Sequence, residues 1–417
     1  MGEAMKLKIK RCERINGTIH ISGSKNSTLP IIAASLLSSK VVVIKNIPLI
    51  TDVMLMIEII KSMGVKVKRE KNKLKIRAKH FNPIINSKDV EKLRGSYYLI
   101  GACLARYNMC KIKLPGGCNF VSRPIDFHIK GFEQMGYKVN KYKDILYITK
   151  CNEGSNKINI EKKSVGATNN LILAAALVNK LIEINNASLE PEVLETIKFL
   201  KVLGIDLNVK DNTIYVRGIL RIKKVRFNII PDRIETGSYM LLASTIPNSS
   251  LIIKNAPIQY LDSVINVVKQ IGSMVEIKKD ILIIKSNNVK YINLEINEYP
   301  SFPTDLQQIL SCVLLQSNKE SIIVDNIYPK RNSQISELNK MNGCIKYKDN
   351  KIIINKSKLR GAEVTAKDLR CAFALIVAGS IASGETIIEN AEILLRGYEK
   401  PLIKLKKIGV QINEYLS

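Results

Sequence analysis

At 417 residues, 46% hydrophobic and 24% charged, the chain is too long for one ordinary hydrophobic core and suits two large soluble domains. Its 65 basic and 37 acidic residues leave a net charge of +28. The lysines are interleaved with Ile and Val, and RNP-like aromatic runs, zinc-finger spacings and a basic zipper are missing, so no nucleic-acid partner is expected. Met1 to Lys10 lacks an apolar signal core, and the longest apolar helical stretch, Leu171 to Val178, is far short of the ~20 residues that span a bilayer. The expectation is a cytoplasmic protein with no membrane partner.

Two strands, Leu7 to Ile9 and Thr18 to Ser22, open the chain and belong to no repeat of their own. From there one pattern recurs six times with a period of roughly 70 residues. Each unit begins with an apolar helix: Leu29 to Leu37, Tyr97 to Ala105, Asn169 to Leu177, Ser238 to Ser244, Leu306 to Leu315 and Cys371 to Ala382. Apolar residues extend beyond one stripe of these helices, which predicts burial on all sides. A β-branched strand follows, such as Val41 to Ile44 or Ser321 to Val324. An amphipathic helix then ends on a glycine: Gly64, Gly136, Gly204, Gly272, Gly343 and Gly409. Glycine suits a helix end because the left-handed conformation costs it least. A hairpin with a polar turn closes the first five units, for example Lys210-Asp211-Asn212.

The sixth unit lacks a complete hairpin, so the simplest closure pairs the two chain ends. That predicts an α/β fold of two pseudo-threefold domains, one over 23–232 and the other over 1–22 plus 233–417, with buried helices inside and sheets outside.

The eight cysteines include no C-x-x-C pair, and several lie in apolar helical runs, which predicts reduced thiols. The three histidines, His20, His80 and His128, are too scattered for a metal cluster, so no metal is expected.

The starts of the buried helices are unusually polar: Lys25-Asn26, Arg94-Gly95-Ser96, Ser164-Val165-Gly166-Ala167-Thr168, Arg233, Thr304-Asp305 and Asp368-Leu369-Arg370. A single Ser, Thr or Asp there is ordinary capping. Recurrent Lys and Arg oppose the helix dipole, and binding of an anionic substrate offsets that cost. The second unit also carries a Gly-Gly loop, Leu114 to His128, with Cys118 in a polar, basic setting that favours a reactive thiolate.

At these residues the chain resembles the enolpyruvyl transferase family. The resemblance rests on Ser22 to Asn26, Leu114 to Cys118, Arg123 to His128, Ser164 to Thr168, Pro231 to Gly237, Phe302 to Asp305, Asp368 to Arg370 and Arg396 to Glu399. Several motifs in order along nearly the whole chain are far more specific than one short pattern. The family fold is two inside-out α/β barrel domains built from six repeats.

Within that family the cysteine loop marks the UDP-sugar branch. The resemblance implies transfer of enolpyruvyl from phosphoenolpyruvate to the 3-hydroxyl of UDP-N-acetylglucosamine, with no cofactor. It makes Cys118 the general acid and site of a covalent adduct, and Asp305 the base at the substrate hydroxyl. Lys25, Asn26, Arg123, Arg370 and Arg396 become phosphoenolpyruvate ligands, with Lys25 and Arg396 counted among the catalytic groups. The UDP-N-acetylglucosamine contacts become Arg94, Arg123, Pro124, Ile125, Asp126, Phe127, Lys162, Lys163, Ser164, Val165, Asp305 and Ile327. The cysteine loop and Asp305 fall in different predicted domains, so domain closure is expected to assemble the site.

The chain departs from the family pattern at Phe120-Val121, at Leu189 before Glu190-Pro191-Glu192, at Pro329-Lys330 and at Leu394-Leu395. These departures leave two alternatives open. One is an enolpyruvyl transferase for shikimate 3-phosphate or another nucleotide. The other is a non-catalytic nucleotide-sugar-binding paralogue.

Overall fold

The computed structural model describes residues 5–114, 125–219 and 222–415. These divide into two compact units, one containing 23–114, 125–219 and 222–230, the other 5–22 and 231–415. Each has its own apolar core.

Among the described residues, six four-stranded sheets carry the repeat, and each has the same plan. The fifth repeat illustrates it. Strand Asn293–Ile296 leads into the buried helix Gln307–Leu314 and then into strand Ser321–Asp325, parallel to the first. The outer helix Ser333–Lys340 precedes the hairpin Cys344–Lys348 and Lys351–Asn355. The last strand of the hairpin lies against Ser321–Asp325, antiparallel, so the spatial order is first, second, fourth, third. A helical crossover suits the first pair because parallel strands cannot be joined by a tight turn.

The inner helices are buried as their composition demands. Arg233–Thr245 is buried at every residue, and Leu369–Ile381 from Leu369 to Ser380. In the other unit, Tyr98–Tyr107 and Val165–Ala175 pack so closely that a Cβ on Gly101 would lie 2.4 Å from the Asn170 carbonyl oxygen. Among the described residues no helix is long and apolar enough to cross a membrane.

Expectations about the strands and about one helix end are corrected. Each repeat opens with a strand, not with its buried helix. These opening strands run only two to five residues, as in Ile84–Ile85 and Lys157–Asn159, too short to show alternation. The N-terminal strands also have places in repeats. Asn16–His20 is the opening strand of the fourth, parallel to Ser250–Lys254. Lys6–Lys10 lies between Glu385–Glu389 and Ile412–Tyr415 and completes the sixth hairpin, so the two chain ends do pair. By the same device Val225–Asn228 returns to open the first repeat beside Val42–Lys45.

The second correction concerns the fifth helix end. Five of the six glycines have positive φ, from 85° at Gly136 to 107° at Gly272. In the fifth repeat the left-handed residue is Asn342, at φ 65°, and not Gly343. Asparagine is one of the few other residues that tolerate this region.

Candidate active site

In the unit holding residues 23–230, the start of each inner helix carries expected ligands. Ser24 caps helix Lys25–Ser35 by accepting from Ser27 N, which places Lys25 and Asn26 in the first turn. Lys25 Nζ lies 3.0 Å from Asp52 Oδ2, and Asp52 is buried in the first turn of Thr51–Ser62. The lysine that opposes its helix dipole is thus countered, at least in part, by an acid the sequence reading did not single out.

Arg94 stands in the 3-10 turn Arg94–Tyr97, where its Nη1 donates to Tyr97 Oη at 2.8 Å and its guanidinium lies 4.8 Å from that ring's centre. Tyr97 also touches the His128 ring, at 5.4 Å between centroids. Ser164 caps Val165–Ala175, and Gly166 in that first turn is so close to His128 that a Cβ would meet Nε2 at 3.0 Å. Tyr97, the Arg94 charge and the first turn of Val165–Ala175 at Gly166 therefore lie close to His128. Ile125 is buried, Phe127 half-buried and Asp126 exposed at the start of Asp126–Gln134. Lys162 is exposed and Lys163 half-buried just before the Ser164 cap. Cys118, Arg123 and Pro124 lie outside the described residues, as do Phe120 and Val121.

His128 is the organising group of this cluster, and sequence reading named it only as part of a motif. Asn170 Nδ2 donates to its Nδ1 at 2.8 Å, while Asn170 Oδ1 accepts from Gly101 N at 2.9 Å. The ring proton therefore sits on Nε2. Burial, and secondarily the Arg94 charge, push its pKa down to about 3. The unfolded chain takes up this proton near pH 6.5 and the folded chain only near 3, so His128 lowers stability as pH falls between those values. His128→Gln is expected to remove about 2 kcal/mol of the stability loss between pH 6.5 and 5. Urea unfolding of both proteins across that range measures the difference, and equal pH slopes would contradict the assignment.

The other unit, 231–415 with 5–22, holds the expected base. Pro303 and the 3-10 turn Thr304–Leu306 bring Asp305 to the start of Gln307–Leu314. Its Oδ1 accepts from Arg331 Nη1 at 2.9 Å and its Oδ2 from Arg370 Nη2 at 2.8 Å. The carboxylate is 25% exposed, whereas the two arginine side chains are 5% and 7% exposed. Burial works against the Arg331 charge, but Asp305, Tyr328, Asp368 and Asp325 outweigh it, so its pKa lies above the usual arginine value.

Arg370 was expected beside phosphoenolpyruvate; here one of its nitrogens is engaged by Asp305. Its guanidinium also lies 5.4 Å from the Tyr398 ring centre, and Tyr398 Oη is 2.8 Å from Ser238 Oγ. Tyr398 follows Arg396-Gly397 directly, so the Arg396 segment, the Arg370 helix start and the Ser238 helix come together.

Arg331 is the main residue the sequence reading left out of the site. It stands beside Pro329 and Lys330, which read as departures from the family, and its role as a partner of Asp305 appears only in three dimensions. The other described departures differ in burial. Leu394 is fully buried, Leu189 is half-buried against the core, and Leu395 and Lys330 face solvent.

The EPSP synthase (3-phosphoshikimate 1-carboxyvinyltransferase) family matches residues 9–405. The chain is 39% identical to a UDP-N-acetylglucosamine 1-carboxyvinyltransferase of Wolbachia sp. subsp. Brugia malayi, over 95% of this chain and 96% of the relative. It is 37% identical to UDP-N-acetylglucosamine 1-carboxyvinyltransferase 2 of Listeria monocytogenes, over 98% and 97% of the two chains. Among solved structures, an enolpyruvyl transferase from Streptomyces tendae superposes with a TM-score of 0.89 at 19% identity, covering 99% of this chain and all of that one. An EPSP synthase from Acinetobacter baumannii shares the fold at a TM-score of 0.77 and 16% identity, with the same coverage. The repeated α/β sheets, the helix starts that carry Lys25, Asp305 and Arg370, and this near-full-length likeness agree: the chain belongs to the EPSP synthase family of enolpyruvyl transferases.

Proposed function

We propose that the protein transfers the enolpyruvyl group of phosphoenolpyruvate to the 3-hydroxyl of UDP-N-acetylglucosamine and releases phosphate, the first committed step of peptidoglycan precursor synthesis. The observation that carries this reading is the likeness, over almost the whole of both chains, to relatives named for that reaction. A reaction on soluble metabolites supports a cytoplasmic enzyme, and the described cysteines, all free thiols, fit that compartment. The two compact units, which part between Ile230 and Pro231, support a division into domains near 23–232 and 1–22 with 233–417.

The chemistry is addition followed by elimination. The acceptor oxygen bonds to C2 of the enol as its proton passes to a base, and C3 takes a proton from an acid. The C2–O bond to phosphate then breaks and C3 gives up a proton, restoring the double bond. Asp305 is the base. Its oxygens accept from Arg331 and Arg370, and the side chain is a quarter exposed, which lets an acceptor hydroxyl approach it.

Cys118 is the acid and the site of the covalent adduct. Lys25, Asn26, Arg123, Arg370 and Arg396 hold the phosphate and carboxylate of phosphoenolpyruvate, a task suited to the planar guanidinium fork. Arg94, Arg123 to Phe127, Lys162 to Val165 and Ile327 hold the UDP-sugar.

Phosphate release from phosphoenolpyruvate should require UDP-N-acetylglucosamine. Faster release with shikimate 3-phosphate or another nucleotide would overturn the acceptor, and no release with any acceptor would overturn catalysis. Fosfomycin, an epoxide that mimics phosphoenolpyruvate, should add one molecule to Cys118 in the presence of the UDP-sugar. Mass spectrometry of the Cys118 peptide reads this directly, and an unmodified peptide would remove the cysteine from its role.

A further inference from the structure

Asp305 is held by more than its two arginines. Arg331 Nη1 donates to Asp305 Oδ1 at 2.9 Å and also to Thr304 Oγ1 at 3.1 Å. The Thr304 hydroxyl in turn donates to Asp325 Oδ2 at 2.6 Å. Asp325 is 3% exposed and is the last residue of strand Ser321–Asp325, paired on one side with Asn293–Ile296 and on the other with Lys351–Asn355.

The other oxygen of Asp325 fixes the segment that follows. Oδ1 accepts from Ile327 N at 3.0 Å and Tyr328 N at 2.9 Å, closing a tight turn. Tyr328 then carries the Arg331 guanidinium 5.0 Å from its ring centre, and its carbonyl accepts from Arg331 N at 2.9 Å. Arg331 is thus fixed from two directions, and both begin at Asp325. One direction runs through Thr304 and the other through the turn at Ile327 and Tyr328.

We propose that Thr304 and Asp325 are positioning residues that set the orientation of the Asp305 carboxylate through Arg331, while the same Asp325 sets the main chain at Ile327. This rests on the reading of Asp305 as the base. Neither residue needs to touch substrate. The strand end supplies a fixed point, and the hydroxyl occupies Asp325 Oδ2 and keeps one Arg331 hydrogen from turning elsewhere. A base must be aimed within a fraction of an ångström to act, whereas ground-state binding tolerates more. Loss of the relay should therefore appear in kcat more than in KM.

The test is Thr304→Val, which keeps the shape and removes the hydroxyl, compared with Thr304→Ser, which restores it. Steady-state phosphate release with both substrates varied should show kcat down by about tenfold or more in Thr304→Val, with both KM values within about threefold. Thr304→Ser should recover kcat to within about threefold of the parent. Asp325→Asn, whose carbonyl can still accept from Ile327 N and Tyr328 N but whose amide cannot accept from the Thr304 hydroxyl, should lower kcat by a similar factor with the KM for UDP-N-acetylglucosamine within about threefold. A Thr304→Val enzyme with parental kcat, or a Thr304→Ser enzyme no better than Thr304→Val, would overturn the proposal. Asp305→Ala, assayed beside them, separates the two ideas. If it is inactive while Thr304→Val is normal, the relay alone fails; if it retains parental turnover, the base reading fails and the relay with it.

Discussion

Asp305→Ala should lower turnover by about a thousandfold, within the range expected when a positioned base is removed. It should also destabilise the protein, because Arg331 and Arg370 are buried and share this carboxylate. Removing one partner of a buried ion pair costs about 3 kcal/mol or more when the remaining charges stay uncompensated. Asp305→Asn divides the two effects. Its carbonyl oxygen can still accept from Arg331, while its amide nitrogen faces another donor on Arg370, and it cannot take a proton from the acceptor hydroxyl. It should therefore be as inactive as the alanine variant but more stable. Phosphate release and urea unfolding of the same samples give both quantities. Turnover of Asp305→Asn within tenfold of the parent would remove Asp305 from the base role.

Asp368→Ala should produce a comparable loss of stability. Asp368 is 2% exposed and caps helix Leu369–Ile381, its Oδ1 accepting from Arg370 N at 2.9 Å and Cys371 N at 3.1 Å. Its Oδ2 accepts from Gln308 Nε2 at 3.0 Å and from the Ser333 hydroxyl. One carboxylate therefore joins the starts of two inner helices and one outer helix. A lost cap costs about 1 kcal/mol, and each buried donor left without a partner about 1–3 kcal/mol more. Together these give an expected loss of about 3 kcal/mol. Because Arg370 follows in the capped turn, activity should fall as well. Asp368→Asn keeps an acceptor for the cap and should recover most of the stability. An unfolding free energy for Asp368→Ala, from urea unfolding, within about 1 kcal/mol of the parent would show that the cap and its neighbours are dispensable.

Much of the fold was legible in the chain because each repeat alternates two helices of different character. The inner helices lack a polar face, and the outer ones end on a residue suited to left-handed geometry, so both recur visibly despite little sequence identity between repeats. The opening strands were not legible. A segment such as Ile84–Ile85 is too short to alternate, and its identity as a strand comes from the parallel neighbour Met109–Lys113. The same holds for Asn16–His20, whose sheet partner Ser250–Lys254 lies more than two hundred residues away.

The candidate site divides in the same manner. Lys25, Arg94, Ser164, Asp305 and Arg370 were readable as helix starts because charged and capping residues there contrast with the apolar turns that follow. Their partners were not readable. Asp52 looks like an ordinary first-turn acid, Arg331 sits among apparent departures from the family, and His128 is one histidine of three. Nothing local distinguishes them. Each gains its role from a contact across the packed helix starts: Asp52 with Lys25, His128 with Asn170, Arg331 with Asp305.

The sequence by itself determined the six-repeat plan, the burial of the inner helices and the gathering of polar groups at their starts, since these follow from periodicity, hydrophobicity and capping, which act over a few residues. Only the tertiary structure decided which strand opens each repeat, that Asn16–His20 opens the fourth, and that Asp305 lies between Arg331 and Arg370. Those are choices between distant segments with similar local character, and packing of the buried helices settles them by bringing particular side chains within hydrogen-bond reach.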